Sequence, residues 1–244
     1  MSFFHFQQFS VRQAQTAMKV CTDATLFGAM TPVAGGERAL DIGTGTGLLA
    51  LILAQSGTAS VVGVELDPAA AEEADFNFRQ SPWRERLTAL RVDVRDYAAK
   101  AKERFDLVVC NPPFFQNHSK SSDAARQQAR HDDNLPRQDL LAAVDRLLTS
   151  EGLFHLLLPT HAVDSFLDMA GARGLYLQCR TDIRGYRRNR PKVAALVFAR
   201  QPGPALQRTL TIYGEEGGYS PASEYYLSPL LLRFASQPGK ENHG

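Results

Sequence analysis

A chain of 244 residues, 44% hydrophobic and 22% charged, is long enough for one α/β domain with additions and apolar enough to bury a sizeable core. Its net charge of +1 excludes a global polycation, so any contact with nucleic acid must come from a local patch. The three cysteines, Cys21, Cys110 and Cys179, lack C-x-x-C spacing and the six histidines lack ligand spacing, which argues against a disulfide framework and predicts no metal site.

The opening Met1-Ser2-Phe3-Phe4-His5-Phe6 has no basic stretch leading into a long apolar run, so no targeting signal is expected. No segment reaches the roughly 20 apolar residues of a membrane span. The expected setting is cytoplasmic, with no membrane contact and no obligate protein partner. Phe3, Phe4, Phe6 and Phe9 read as packing residues that cap a sheet edge.

From Arg38 onward short β-rich runs alternate with helical stretches. Residues 38–42 form an apolar strand that ends in glycines, and 48–55 an apolar helix. A second strand spans 60–66. Pro68 then suits a helix start, where its missing N–H would be unpaired anyway, and Ser81-Pro82 stops that helix near Arg79. Strands follow at 87–93 and 105–110. Residues 116–134 are polar and aperiodic and read as a long loop, of the kind that is usually functional. An amphipathic helix over 137–149, a strand over 153–158, a helix to about 172 and strands over 175–181 and 192–199 complete the pattern. Repeated β-α units predict an α/β fold of the Rossmann-like kind: a mostly parallel seven-stranded sheet with helices on both faces and an antiparallel edge strand. The domain spans 37–236, and the polar tail 237–244 is expected to be disordered.

Asp41-Ile42-Gly43-Thr44-Gly45-Thr46-Gly47 lies between the first strand and its helix. Gly43, Gly45 and Gly47 permit a sharp turn and close approach of a ligand to backbone. Glu65, followed by Leu66, ends the second strand, where a carboxylate accepts both hydroxyls of a ribose. A nicotinamide dinucleotide site would carry an acidic residue there as well. Asp41 discriminates between the two, because a carboxylate would repel a pyrophosphate but suits the cationic methionine end of S-adenosyl-L-methionine. Asp93, followed by Val94, ends the third strand. It can accept from an adenine amino group or cap the next helix, and position alone does not decide.

Asn111-Pro112-Pro113-Phe114 follows the fourth strand, at the sheet edge where such folds bind ligands. An exocyclic amine has its lone pair delocalised into a π-system and attacks poorly. Two acceptors, the Asn111 side-chain carbonyl and the Pro112 backbone carbonyl, can hold its two N–H groups and favour a tetrahedral nitrogen. Proline fixes the second acceptor, and Phe114 offers a face for stacking a base. Asn111, Pro112 and Phe114 are therefore the candidate catalytic residues. A planar amine is indicated, but adenine, guanine N2 and a glutamine amide all qualify.

This combination resembles the amino-methylating class I methyltransferases, whose signature is (N/D/S)-P-P-(Y/F/W). Nearly the whole chain resembles the bacterial tRNA1(Val) adenine-N6-methyltransferase family. The likeness runs through Met18-Lys19-Val20-Cys21-Thr22-Asp23, residues 40–53, Gln80-Ser81-Pro82-Trp83, residues 105–115, Gln128-Ala129-Arg130 and Tyr219-Ser220. It implies methylation of adenine 37 in the anticodon loop of a tRNA. It also implies cofactor contacts at Asp41, Gly43, Glu65, Asp93 and Asn111, with residues 1–36 as a capping segment that lays Lys19, Thr22 and Asp23 over the cofactor. Phe114 stands where that family's pattern leads one to expect Tyr.

Arg184, Arg187, Arg188, Arg190 and Lys192 cluster between the last two strands, with Arg180 just before them and Asp182 alone opposing them. Such a loop can grip phosphates through charge-assisted contacts and counterion release. Arg126 and Arg130, after the Asn-Pro-Pro-Phe segment, are further candidates for RNA contact. A catalytically silent RNA-binding module and an NAD-dependent oxidoreductase are the readings from other classes. The first conflicts with an intact Asp41, Glu65 and Asn111, and the second lacks a suitable proton donor.

Overall fold

The computed structural model describes residues 2–14, 16, 19–112 and 135–235. Phe114, Arg126, Arg130, the loop expected at 116–134 and the tail expected at 237–244 lie outside the described residues.

The apolar runs fold into strands β3 (Arg38–Ile42), β4 (Ser60–Glu65), β5 (Leu87–Arg91), β6 (Phe105–Cys110), β7 (Leu148–Pro159), β8 (Tyr176–Arg184), β9 (Val193–Ala199) and β10 (Leu206–Thr211) of one sheet. Their order is β10-β8-β9-β7-β6-β3-β4-β5. All neighbours pair in parallel except β9, which is antiparallel to both β7 and β8. The Rossmann-like class is as expected, but the sheet has eight strands rather than seven. The added strand, Leu-Gln-Arg-Thr-Leu-Thr, buries only Leu210 well, as suits an edge strand, and carries little of the apolar signal used to find the others. It pairs with β8, while the antiparallel strand β9 is held between β7 and β8 and so lies inside the sheet and not at the expected edge.

Helices cover both faces. On one, α1 (Thr22–Ala29), α2 (Leu48–Ser56), α3 (Pro68–Arg79) and α7 (Pro221–Leu227) bury Leu26, Phe27, Leu51, Leu53, Phe78 and Leu227 against the sheet. On the other, α4 (Val94–Lys100), α5 (Arg137–Leu147) and α6 (Val163–Gly171) bury Val94, Leu141, Val144 and Phe166. Helix α5 ends two residues earlier than its periodicity suggested, because Leu148 already pairs with Phe105 and begins β7.

A small antiparallel hairpin, β1 (Phe3–His5) and β2 (Ser10–Arg12), packs on the first face. Phe6 and Phe9 are core residues whose rings stack at 4.5 Å, and Phe9 meets Trp83 edge-on at 5.8 Å. Phe3 remains exposed. Buried His155 of β7 ties α1 to the sheet: its Nδ1 lies 2.9 Å from the Thr31 hydroxyl and its ring stacks on Phe27 at 4.2 Å. Burial pulls its pKa down to about 3, so it is a neutral structural group. No described helix is long and apolar enough to cross a membrane.

Candidate active site

The strands that carry the candidate residues are consecutive in the sheet, β6-β3-β4-β5, and all point the same way. The chain runs outward from β3 through β4 to β5, then returns to place β6 on the other side of β3. The crevice for a ligand therefore opens between β3 and β6, at the carboxyl edge. Asp41 and the glycine loop stand on one side of it and Asn111 on the other.

Asp41 is fully buried. Its Oδ2 accepts from the Thr44 hydroxyl at 2.6 Å, while Oδ1 is buried and makes no hydrogen bond of good geometry. Burial pushes this carboxyl up to about 7, and the nearby Glu65 charge adds to the rise. The Thr44 hydroxyl and the Ala50 N–H in the first turn of α2 act against it. A buried acceptor with capacity left over is costly unless a ligand uses it.

Gly43 and Gly45 have φ of 69° and 56°, and a Cβ at either would meet nothing within 4 Å, so open space faces the loop. Gly47 is glycine for a different reason. Its φ is 84°, and a Cβ there would stand 2.4 Å from the Phe78 ring, so the loop can enter α2 only without a side chain. The Glu65 carboxylate shapes this loop, accepting from the Gly45 N–H at 2.9 Å through Oε2 and from the Asp67 N–H at 2.9 Å through Oε1. Each oxygen keeps a second lone pair. Beside it, Leu66 is 45% exposed, an apolar surface left uncovered at the mouth of the crevice.

Asp93 caps α4, accepting from the Arg95 N–H at 2.8 Å, and forms a forked ion pair with the Arg95 guanidinium. Those bonds hold its carboxyl below the usual range. The capping role left open by the sequence is thus realised. Val94, the first residue of α4, is buried.

Asn111 is half-buried, yet its Oδ1 is inaccessible and has no hydrogen-bond partner among the described residues. Pro112, whose carbonyl is the second candidate acceptor, follows it directly in the chain. The donor set therefore fits a small cationic ligand with a ribose on one side and an amine on the other. Among the described residues Asp41 Oδ1 and Asn111 Oδ1 both lack a hydrogen-bond partner of good geometry, and the space in front of Gly43 and Gly45 is open. Among the described residues no cluster of His, Cys, Asp or Glu could hold a metal.

Comparisons with known proteins agree with this geometry. The family described as Methyltransferase small domain matches residues 19–151. A tRNA1(Val) (adenine(37)-N6)-methyltransferase of Tolumonas auensis is 41% identical over 231 residues, covering 92% of this chain and 96% of the relative. The chain belongs to this family of tRNA adenine-N6 methyltransferases. Among solved structures, a predicted O-methyltransferase from Agrobacterium tumefaciens aligns with a TM-score of 0.64 at 17% identity, covering 88% of this chain and 97% of that one. The 16S rRNA N2 G1207 methyltransferase of T. thermophilus, solved with S-adenosylmethionine and guanosine, aligns at 0.56 and 22% identity, over 82% of this chain and 50% of that one. Both likenesses concern the fold. As a member of this methyltransferase family the enzyme uses S-adenosyl-L-methionine.

Two residues that sequence reasoning passed over hold the segment before β3 against the glycine loop of this methyltransferase. Asn77 of α3 donates to the Thr46 carbonyl at 2.8 Å and to the Arg12 carbonyl at 3.0 Å, and accepts from the Arg12 N–H at 2.8 Å. One turn earlier, buried Glu73 accepts from the backbone N–H groups of Ala14 and Thr16 and from the Thr16 hydroxyl. Both are polar residues in a helix facing a core, which was the available signal.

The remaining candidates lie elsewhere along the same edge. Lys19 is exposed, while Thr22 and Asp23 open α1 half-buried. Burial raises the Asp23 carboxyl, and the charge of Lys192 opposes the rise. Arg187, Arg188, Arg190 and Lys192 are exposed in the β8–β9 turn and pair with no described carboxylate at ion-pair distance. Arg184 instead donates to the Thr211 hydroxyl, and Arg180 pairs with Asp182 at 2.9 Å. The turn is fastened to the end of β7, where the Thr160 N–H donates to the Lys192 carbonyl at 3.0 Å.

Proposed function

We infer that this enzyme transfers a methyl group from S-adenosyl-L-methionine to the N6 amine of adenine 37 in the anticodon loop of tRNA1(Val). The observation that carries the chemistry is Asn111 Oδ1, a buried acceptor with no described partner at the crevice between β3 and β6. The family supplies the base and the tRNA.

When bound, S-adenosyl-L-methionine supplies a methyl group on a sulfonium centre. Asp41 would face its cationic methionine end, Gly43, Gly45 and Gly47 its backbone side, and Glu65 its ribose hydroxyls. Leu66, Val94 and Asp93 would border its adenine. Asp93 keeps a role there only to the extent that its pairing with Arg95 leaves an acceptor free. Residues 1–36, with Lys19, Thr22 and Asp23, would close over this side, held by Glu73 and Asn77.

Asn111 and the Pro112 carbonyl accept the two N–H groups of the adenine amine. That draws the nitrogen lone pair out of the ring and aims it into the crevice. Phe114 stacks the base. No strong general base is needed, because the amine becomes cationic on methylation and then loses a proton to solvent. Positioning carries the rate. The target base must leave its stack to reach this depth, which costs least in a single-stranded loop. Arg126, Arg130, Arg184, Arg187, Arg188, Arg190 and Lys192 would hold the RNA backbone.

Nucleoside mass spectrometry of unmodified tRNA incubated with the protein and S-adenosyl-L-methionine tests this. N6-methyladenosine is expected. N2-methylguanosine, or no methylated nucleoside at all, would overturn it.

A further inference from the structure

Beyond the arginine turn, a row of aromatic rings runs along the same carboxyl edge. Strand β8 points the same way as β7 and β6, since β9 is antiparallel to both of its neighbours, and β10 is parallel to β8. The segments that follow β8 and β10 therefore emerge on the side where Asn111 follows β6. Tyr186 follows β8 and Tyr213 follows β10. The Tyr213 N–H donates to the Gly185 carbonyl at 2.8 Å, and Tyr213 bridges to Tyr219.

These rings form a ladder. Tyr186 and Tyr213 have centroids 5.2 Å apart, Tyr213 and Tyr219 stack at 5.8 Å with planes 15° apart, and Phe234 lies 6.1 Å beyond Tyr219. Each end carries a guanidinium: Arg188 sits 5.2 Å from the Tyr186 centroid, and Arg233 sits 5.0 Å from that of Tyr219. Both arginines are exposed, and neither pairs with a described carboxylate at ion-pair distance. Tyr186 is itself 38% exposed. The ladder ends at a cavity of about 330 Å³ whose walls include Phe4, Thr22, Tyr219 and Arg233.

Ordinary core packing explains the half-buried faces of Tyr213 and Tyr219. It does not explain why Tyr186, at one end, is an exposed ring under a cation, or why Arg233 lies exposed over Tyr219 at the other, with neither arginine paired to a described carboxylate. Aromatic faces interleaved with arginine are the arrangement that stacks unpaired bases while neutralising their phosphates. The spacing fits as well. Three strand steps separate β6 from β8, about 14 Å at the usual sheet spacing of about 4.8 Å, or roughly four stacked nucleotides at about 3.4 Å each.

We propose that the Arg188–Tyr186–Tyr213–Tyr219–Arg233 ladder is a second RNA-binding surface, on which bases of the single-stranded loop flanking the target stack, and that the cavity at its end receives one unstacked base. This rests on the RNA-methyltransferase reading.

The test is steady-state methylation of unmodified tRNA1(Val) by wild type, Tyr186→Ala and Tyr186→Phe, with cofactor affinity measured in parallel. Stacking by Tyr186 predicts that Tyr186→Ala raises the KM for tRNA about tenfold at unchanged cofactor affinity, and that Tyr186→Phe restores it to within twofold of wild type. An unchanged KM in Tyr186→Ala overturns the ladder. A rise that Phe fails to rescue also overturns it, because a hydroxyl and not a ring would then be responsible. Wild-type protein that leaves tRNA unmethylated fails the underlying reading instead, so the two failures are distinguishable.

Discussion

Two stretches of one sheet edge carry the candidate residues, and they are built in opposite ways. Around β3 and β6 the polar atoms are buried with hydrogen-bonding capacity left over: Asp41 Oδ1 and Asn111 Oδ1 are shut off from solvent and lack a well-formed hydrogen bond among the described residues. Beyond β8 and β10 stand exposed cations that pair with no described carboxylate: Arg187, Arg188, Arg190 and Lys192 in the turn, and Arg233 at the far end of the aromatic row. A dry, unsatisfied acceptor selects a small ligand by geometry, since each misfit leaves a buried group unpartnered. A wet row of cations gathers a polyanion with little regard to its sequence. On the proposed reading the edge divides chemistry from grip, and substitutions should separate turnover from RNA affinity.

The largest effect is expected at the dry end. Asn111→Ala should lower turnover by roughly 10²–10³-fold at unchanged cofactor affinity, as for the loss of one preorganised polar contact. Single-turnover methylation beside calorimetry reads both quantities, and near-wild-type turnover would remove Asn111 from the mechanism.

At the wet end, the combined Arg187→Gln, Arg188→Gln and Arg190→Gln variant should raise the KM for tRNA and reduce the slope of log affinity against log salt by about 2, at unchanged kcat. If that slope is unaltered, the turn is ordinary surface.

The smallest effect is a pH dependence within the dry end. Asp41 has its carboxyl pushed up to about 7 in the free protein, so it is only partly ionised at neutral pH. A cationic ligand favours the ionised form, so cofactor affinity should rise about tenfold from pH 6 to 8. The linkage to folding has the opposite sense. With the folded value above the unfolded one, this group's contribution to stability is complete at low pH and is lost as pH rises to about 7. Asp41→Asn should flatten the binding profile, and a profile that keeps its slope would place the titration elsewhere.

Legibility in the sequence followed the same division. Buried strands such as Phe105–Cys110 announce themselves as apolar runs, and the loop from Asp41 to Gly47 announces a sharp turn, so the place of the crevice was legible in the sequence. The role of Asp93 was not, because one carboxylate at a strand end serves a cap and a ligand equally well, and only the bond it accepts from the Arg95 N–H shows the cap. The strand Leu206–Thr211 escaped because it is an edge strand that exposes its first four residues and carries little apolar signal. Asn77 and Glu73 escaped because their partners are backbone atoms of segments far away in the chain, which spacing along the sequence does not encode. The aromatic ladder draws its rings from three separate segments, and only the β8–β10 pairing brings them together.

On the proposed reading the β3–β6 crevice methylates one adenine amine of a tRNA anticodon loop. The most direct measurement is nuclease mapping with mass spectrometry of tRNA1(Val) after reaction with wild-type protein. A single added methyl group in the anticodon-loop fragment, released as N6-methyladenosine from position 37, is the predicted result. A methyl group in any other fragment or on any other base would contradict it.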